Sequence, residues 1–249
     1  GWPLELEAEL LGWMADNHAG TRSGEYTHTA AVAERFDEII RRLTDARREA
    51  GDAAPDDVTT ELTRTSLGGR PLDDLEIVSI LRNWTAGDLG SIALCVGVIA
   101  RTMAERPEVQ RHLRAVLDDE VALDRAIDEV LRIDDPFVAN RRVATRDTTH
   151  GGCPITEGQR VILNWTDANR DPARFGDPDA FEPDDNAEHN LVYGTGPHVC
   201  PGRPLASLEL RVITRALLAA TSSIDAGGEP ERELPPLGGF RVAPVVLRG

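Results

Sequence analysis

Aromatic residues are scarce in this 249-residue chain: four Trp, two Tyr and five Phe make up 4% of it. Ala, Leu, Val, Arg, Asp and Glu dominate instead, the usage of a helix-rich protein. Positive charge is also in short supply, with 27 basic against 43 acidic side chains and a net charge of −16. That balance argues against a nucleic-acid partner, because phosphate recognition needs clustered cations. The basic residues are arginines, which points to a GC-rich genome more than to a function. No unbroken apolar run reaches the roughly 18 residues of a membrane span. The opening Gly-Trp-Pro-Leu-Glu-Leu-Glu lacks the pattern of a signal peptide. Only three cysteines occur, Cys95, Cys153 and Cys200. Their odd number and wide spacing indicate neither a disulfide framework nor a zinc knuckle. A cytoplasmic protein without a membrane partner is the expectation, and its length suffices for a substantial core.

Helical periodicity covers most of the chain. Leu4–Met14 and Thr29–Arg48 read as helices, separated by a break at Gly20–Gly24. Asp56 or Asp57 can cap a short helix through Leu62. After the turn Gly68-Gly69-Arg70-Pro71, Asp73 or Asp74 opens the longest apolar helical stretch, which Pro107 stops. Inside it lies Ala86-Gly87-Asp88-Leu89-Gly90-Ser91. Two mid-helix glycines cost about 1 kcal/mol each relative to Ala, so either helices pack closely there or something flat lies against them. Glu108–Leu117 and Leu123–Ile133 are two further helices. Short strands are expected at Val143–Thr145, Gly151–Pro154 and Val161–Leu163, then an irregular loop over Asp167–Asn190, a helix from Leu205 to about Ala220, and a last strand over Val242–Leu247.

The most informative stretch is Tyr193-Gly194-Thr195-Gly196-Pro197-His198-Val199-Cys200-Pro201-Gly202. It sets one cysteine in a glycine-rich loop that runs straight into the last helix. Free N–H groups and the positive dipole end at a helix start favour a thiolate, which suits that cysteine to metal binding. Glycines at 194, 196 and 202 permit tight turns and close approach by a large flat group. One cysteine cannot make a zinc site, but it can be the single axial ligand of a haem.

With its full aromatic-Gly-x-Gly-x-His-x-Cys-x-Gly spacing, this loop resembles the haem-binding loop of the cytochromes P450. The order of features along the whole chain resembles the C-terminal portion of that family, and the N-terminal part of complete members has no counterpart. The resemblance implies a single P450-like domain over residues 1–249, mainly α with a minor β part and truncated at the N-terminus. It is then either a fragment or a naturally short relative. Residues 1–66 would be distal-side helices, with Trp2, Leu4, Leu10, Leu11, Trp13 and Met14 as pocket liners or core. Residues 67–249 would carry the long central helix, the Glu-x-x-Arg helix and the haem loop.

Residue by residue, the resemblance implies that Cys200 ligates the iron of haem b, in a loop framed by Tyr193, Gly194 and Gly202. Arg142, with Arg141 as competitor, and His198 are the expected propionate contacts. Glu129 and Arg132, one helical turn apart, look like the family's structural pair. The third member of that network is an Arg in the family, and here Pro178-Asp179-Ala180-Phe181 puts Ala180 in its place. Ala86-Gly87 resembles the oxygen-binding groove. The acid and threonine that usually follow are replaced by Leu89-Gly90, with Asp88 and Ser91 each about 100° of helical rotation away. Asp88, Gly90 and Ser91 are thus the candidate oxygen-groove residues. The implied function is monooxygenation of a small organic substrate with O₂ and electrons from a ferredoxin- or flavodoxin-type donor, for which Arg203, Arg211 and Arg114 would form a basic patch. Two alternatives remain: peroxide-driven oxidation, and an inert haem-binding or recruitment protein.

Overall fold

In a computed structural model, every residue except Pro236 is described. The chain divides into two compact units, Gly1–Ser91 and Ile92–Gly249.

The first unit is helical. Helices α1 (Glu7–Ser23), α2 (Tyr26–Ala50), α3 (Val58–Arg64) and α4 (Asp74–Ala86) are joined by short turns, with a two-residue ribbon of β1 (Ser66–Leu67) and β2 (Arg70–Pro71) before α4. Val32, Phe36, Ile39, Ile40 and Leu43 recur at helical spacing on α2 and meet Trp13 and Met14 of α1 and Ile77, Val78 and Leu81 of α4. Trp13 tilts against Phe36 at 4.5 Å and donates its indole N–H to Val32 O at 2.9 Å. Trp13 and Met14 are therefore core residues, whereas Leu4 and Leu11 are exposed. Asp57, not Asp56, caps α3 by accepting from Thr60 N. Asp73, not Asp74, caps α4 in a reciprocal box with Glu76.

In the second unit, α5 (Ile92–Glu105), α6 (Pro107–Ala115), α7 (Glu120–Ile133) and, after three short helices, α8 (Trp165–Asn169), α9 (Pro172–Phe175) and α10 (Pro183–Asn186), the long α11 (Arg203–Ala219) surround one core. Buried Gln110 ties α5 and α6 to the C-terminal ribbon through Met103 O, Ile224 O and Ile224 N. The strands form antiparallel pairs: β3 (Ala139–Val143) with β6 (Arg160–Asn164), β4 (Thr148–His150) with β5 (Cys153–Ile155), β7 (Ser223–Ala226) with β10 (Val245–Arg248), and β8 (Glu231–Arg232) with β9 (Phe240–Val242).

Several expectations change. The break placed at Gly20–Gly24 falls only at Gly24, since α1 runs on to Ser23, and Gly151-Gly152 is the turn between β4 and β5 and not strand. The strand placed at Val143–Thr145 lies upstream, at Ala139–Val143, because its partner is Arg160–Asn164 in the register Ala139↔Asn164. The single last strand is two, since Ala243-Pro244 interrupts it and Pro244 has no N–H for a ladder. The irregular loop at 167–190 contains α9 and α10, each with Pro in its first turn. Residues 74–105 do form a continuous helical stretch, long and apolar enough by composition to cross a membrane. Its buried residues Ile77, Val78 and Leu81 belong to the first core, and Leu94, Cys95, Val98, Ile99 and Met103 to the second.

Arg47 of α2 and Asp57 form a buried ion pair in the first unit. Arg47 and Asp57 are each 9% exposed, and the guanidinium donates through Nη2 at 2.8 Å and Nε at 3.3 Å. Burial pushes the Asp57 pKa up, but Arg47 and the Thr60 N–H outweigh it and hold it below the ordinary value. Its stabilisation is present above the unfolded pKa of about 4 and is lost as pH falls through the lower folded value. Asp57→Ala removes a helix cap and strands a guanidinium, and should lower unfolding free energy by about 3 kcal/mol in urea titrations at pH 7. An unchanged midpoint would show that the pair contributes nothing.

Candidate functional site

The loop from Val192 to Gly202 is set by its backbone. Leu191 O accepts from Gly194 N at 2.8 Å and Gly196 O from Val199 N at 3.1 Å, and Gly194 and Gly196 have φ of 71° and 68°. A side chain would be strained at either glycine. Gly202 differs: its φ is negative, and a Cβ there would lie 3.8 Å from Cys200 Sγ. Cys200 N donates to Tyr193 O at 2.8 Å, which closes the loop on itself. The thiol is half-buried, just ahead of α11. No side chain caps that helix, so its positive dipole end remains available to a thiolate, although Arg203 N donates to Cys200 O at 3.4 Å and Pro204 has no N–H to offer. The other thiols differ: Cys153 is exposed, and burial pushes Cys95 up to about 12.

Beneath the loop, Arg203 stacks over the Tyr193 ring at 4.9 Å and lies 3.5 Å from Asp128 of α7. Tyr193 Oη and Ser207 Oγ are 3.4 Å apart. Burial pushes the Asp128 carboxyl up to about 7 against the attraction of Arg203, and burial likewise raises the Tyr193 phenol.

Glu129 and Arg132 are 1% and 0% exposed and joined bidentately at 2.7 and 2.8 Å. The guanidinium also donates to Asn169 O, Pro178 O and Ala180 O at 2.8, 3.1 and 3.2 Å, and lies over the Phe175 ring. All five of its N–H groups have acceptors. Glu129 Oε1 accepts in addition from Glu182 N at 3.1 Å and Asn186 Nδ2 at 2.7 Å. The network that lacked an Arg at position 180 is therefore complete by other means. Ala180 contributes its carbonyl, and the amide of Asn186 binds the carboxylate. Sequence reasoning missed Asn186, together with Asn169, whose Oδ1 accepts from Leu191 N at 2.8 Å and whose Nδ2 donates to Asp135. Neither lies in a local motif, so no signal in the sequence marks them.

Arg142 sits on β3 opposite Val161 and donates only to the neighbouring Arg141 O. Among the described residues it has no carboxylate partner, and the exposed His198 side chain has no hydrogen bond. The basic patch is not there as expected. Arg211 is mostly buried and paired with Glu120 and Asp124, and Arg114 is bound to Leu218 O and Thr221. Arg203 alone is substantially exposed. Carboxylates and carbonyls on α6, α7 and α11 claim the other cations.

The helix at 86–91 is not regular. Gly87–Ser91 forms a turn of π-helix, a wider turn common at functional sites. A Cβ on Gly87 would meet nothing within 4 Å, so open space lies over it. Gly90 is buried, and a Cβ there would come within 3.2 Å of Met14 Sδ and 3.3 Å of His18 Nε2. Close helix packing accounts for Gly90 but not for Gly87. Asp88 is exposed and Ser91 half-buried.

These features fit an iron–thiolate haem: a half-buried sulfur at an uncapped helix start, no Cβ at Gly202 beside it, and an unpaired cation in Arg142 for a carboxylate. Among the described residues no cluster of His, Cys, Asp or Glu suits another metal. The Cytochrome P450 family profile matches residues 24–240, and the chain belongs to that family. It is 31% identical over 241 residues to the cyclomarin C epoxidase of Salinispora arenicola, which covers 92% of this chain and 60% of that protein. Similar values, 31% identity with 92% and 61% coverage, hold for the erythromycin C-12 hydroxylase of Saccharopolyspora erythraea. Among solved structures, CYP108D1 from Novosphingobium aromaticivorans superposes with a TM-score of 0.83 at 28% identity, covering 99% of this chain and 58% of that one. The chain thus spans about 60% of the length of these relatives.

Breaking the buried pair should be severe. Glu129→Ala leaves the Arg132 charge unpaired at a cost of about 3–5 kcal/mol, while Asn186→Ala removes one bond to a charged group at about 1.5–3 kcal/mol. Guanidinium titrations followed by far-UV circular dichroism should rank the two in that order. A Glu129→Ala protein with the parent's unfolding midpoint would rule out the structural role.

Proposed function

We propose that this chain is the haem-binding portion of a haem-thiolate monooxygenase that oxidises a small organic molecule, with Cys200 as axial ligand of haem b. The observation that carries the reading is the half-buried Cys200 in its glycine-framed loop at the start of α11. Family membership supports it, and two relatives are named for an epoxidation and a hydroxylation. The haem supplies O₂ activation, which thiolate donation favours. Overall, substrate, O₂, two electrons and two protons give a hydroxylated or epoxidised product and water. The electrons come from a ferredoxin- or flavodoxin-type donor. With net charge −16 and three free thiols, a cytoplasmic setting without nucleic acid is part of the same reading.

The chain's own residues have four tasks. Cys200 would ligate the iron from the uncapped start of α11, where the dipole end suits a thiolate. Arg142 and His198 hold the haem carboxylates, which need cationic or hydrogen-bonding partners once removed from water. Glu129 and Arg132 fix the loop and take no part in chemistry. Ala86 and Gly87 leave room, and Ser91, with Asp88 as the rival, moves protons toward O₂. The reading predicts the thiolate-type Soret band in the dithionite-reduced protein under CO. Cys200→Ala should abolish it, while Cys95→Ala and Cys153→Ala retain it. A band unchanged in Cys200→Ala would refute the ligand assignment.

Peroxide-driven oxidation, in which substrate and hydrogen peroxide give product and water, is the second reading. It is favoured by Gly90, which offers no hydroxyl and faces Met14 and His18. The inert reading is disfavoured by the retained cysteine. A positioned proton donor is worth about 10²–10⁴-fold, so Ser91→Ala should divert most reducing equivalents to hydrogen peroxide while Asp88→Asn changes little. Gly90→Thr is a poorer probe, since its side chain has to displace Met14 and His18. Product formed with peroxide alone, at a rate that Ser91→Ala leaves untouched, would favour the second reading.

A further inference from the structure

Both ends of the cysteine loop converge on one buried carboxyl. Asp128 of α7 lies beneath the loop with its side chain 17% exposed. After the loop, Arg203 opens α11 and comes within 3.5 Å of Asp128 Oδ2. Before it, the Tyr193 phenol is within hydrogen-bonding reach of the same carboxyl, and its ring carries the Arg203 guanidinium. Asn190 Nδ2 donates to Asp128 O at 2.8 Å. Tyr193 O in turn accepts from Cys200 N, the bond that closes the loop. Whatever moves the Asp128 side chain therefore acts on Tyr193 and Arg203 together.

The titratable groups that face this carboxyl come from four elements. Arg203 belongs to α11, Tyr193 to the loop, Cys95 to α5, and Asp124 to α7 itself, where it is paired with Arg211. Burial raises both the Tyr193 phenol and the Cys95 thiol, so neither carries charge at neutral pH. The charges that act on Asp128 are thus the attraction of Arg203 and the repulsion of Asp124. Arg203 is 55% exposed, so water screens much of its attraction. We propose that Asp128 is a pH-sensitive latch on the cysteine loop: uncharged, it keeps Tyr193 and Arg203 seated and the loop shut, and ionised, it drives the loop toward a more open and hydrated form. Loss of hydration outweighs Arg203 and pushes the carboxyl up to about 7 in the closed loop. A raised value means that the latch stabilises the closed form fully below about pH 4, the value of a solvated Asp, and that this stability is lost as pH rises through about 7. An exposed salt bridge would act in the opposite sense and tighten as the carboxyl ionised. The latch works on the chain without haem. It rests on the haem-thiolate reading only for its use, which is to make the seat of the iron ligand looser in alkali.

Hydrogen exchange of the full 249-residue chain, free of haem, tests the latch at the amides of Gly194, Val199 and Cys200, which donate to Leu191 O, Gly196 O and Tyr193 O. After correction for the pH dependence of chemical exchange, their protection should fall about tenfold between pH 5 and pH 8, the equivalent of one pKa unit. Asp128→Asn keeps the size of the side chain and never ionises. It should hold the pH 5 protection up to pH 8, where it protects the loop about ten times better than the parent does. Arg203→Gln removes the attraction and should carry the fall to higher pH. Far-UV circular dichroism should be the same for all three proteins. The competing source is Asp135, which burial raises to about 6 and which reaches the loop through Asn169 and Leu191 N. A fall that survives Asp128→Asn would assign the effect to Asp135 and overturn the proposal. Parent protection that does not change with pH would overturn it too, as would an Asn variant less protected than the parent at pH 8, the result expected of an ordinary salt bridge. None of these outcomes bears on the Cys200 assignment, which the reduced-CO band tests separately.

Discussion

The buried Glu129–Arg132 pair is the constraint on which the rest of the second unit depends. Two opposite charges at 1% and 0% exposure have given up their hydration, a loss of several kcal/mol per ion that mutual attraction alone does not offset. Every remaining lone pair and N–H has to be matched. α7 supplies only the pair itself, so the matching groups come from elsewhere in the chain: carbonyls of residues 169, 178 and 180, the N–H of Glu182 and the amide of Asn186. An otherwise irregular stretch is thereby folded around one guanidinium. Asn169 then hands the constraint on through Leu191 N, and Asn190 Nδ2 binds Asp128 O. The cysteine loop begins two residues later, already fixed in place.

This arrangement explains how the loop tolerates Ala at position 180. A side-chain guanidinium contributes charge and donors, but the carboxylate of Glu129 needs donors first, because its charge is already balanced by Arg132. A backbone N–H and a primary amide meet that need without adding a second buried cation, whose own desolvation would have to be offset. The acidity of the chain follows a related logic. Most arginines are committed to carboxylates or carbonyls within their own unit, so the excess negative charge remains on the surface, and the expected basic patch does not form.

Legibility in the sequence followed the range of the interactions. Helices whose apolar residues recur on one face, such as Val32, Phe36, Ile39 and Leu43 on α2, were readable because periodicity is local. So were the cysteine loop and the Glu-x-x-Arg pair, since their spacing is their geometry. The choice between Asp56 and Asp57 was not, because either could accept from α3, and Arg47, ten residues earlier, decides it. Strand β3 escapes a local reading for the same reason: its bounds are fixed by pairing from Ala139↔Asn164 to Val143↔Arg160, across an intervening hairpin. Asn186 and Asn169 could not be found at all, since an asparagine in a polar loop looks the same whether it faces water or a buried carboxylate.

The helix at Gly87–Ser91 shows how such a local rule fails within a correctly assigned element. Counting 100° per residue places Ser91 one step off the position of Gly90. A π turn, however, takes up one more residue than an α turn. Relative to the frame of α4, each side chain after the turn falls where its predecessor would have fallen in a regular helix. Ser91, the last residue of the turn, is rotated toward the direction a regular helix would give residue 90, and Asp88, near its start, is shifted far less. Gly90 is turned onto Met14 and His18 instead, where a Cβ would press on both side chains at 3.2 and 3.3 Å. The glycine and the π turn are then two aspects of one adjustment of the helix between its two ends.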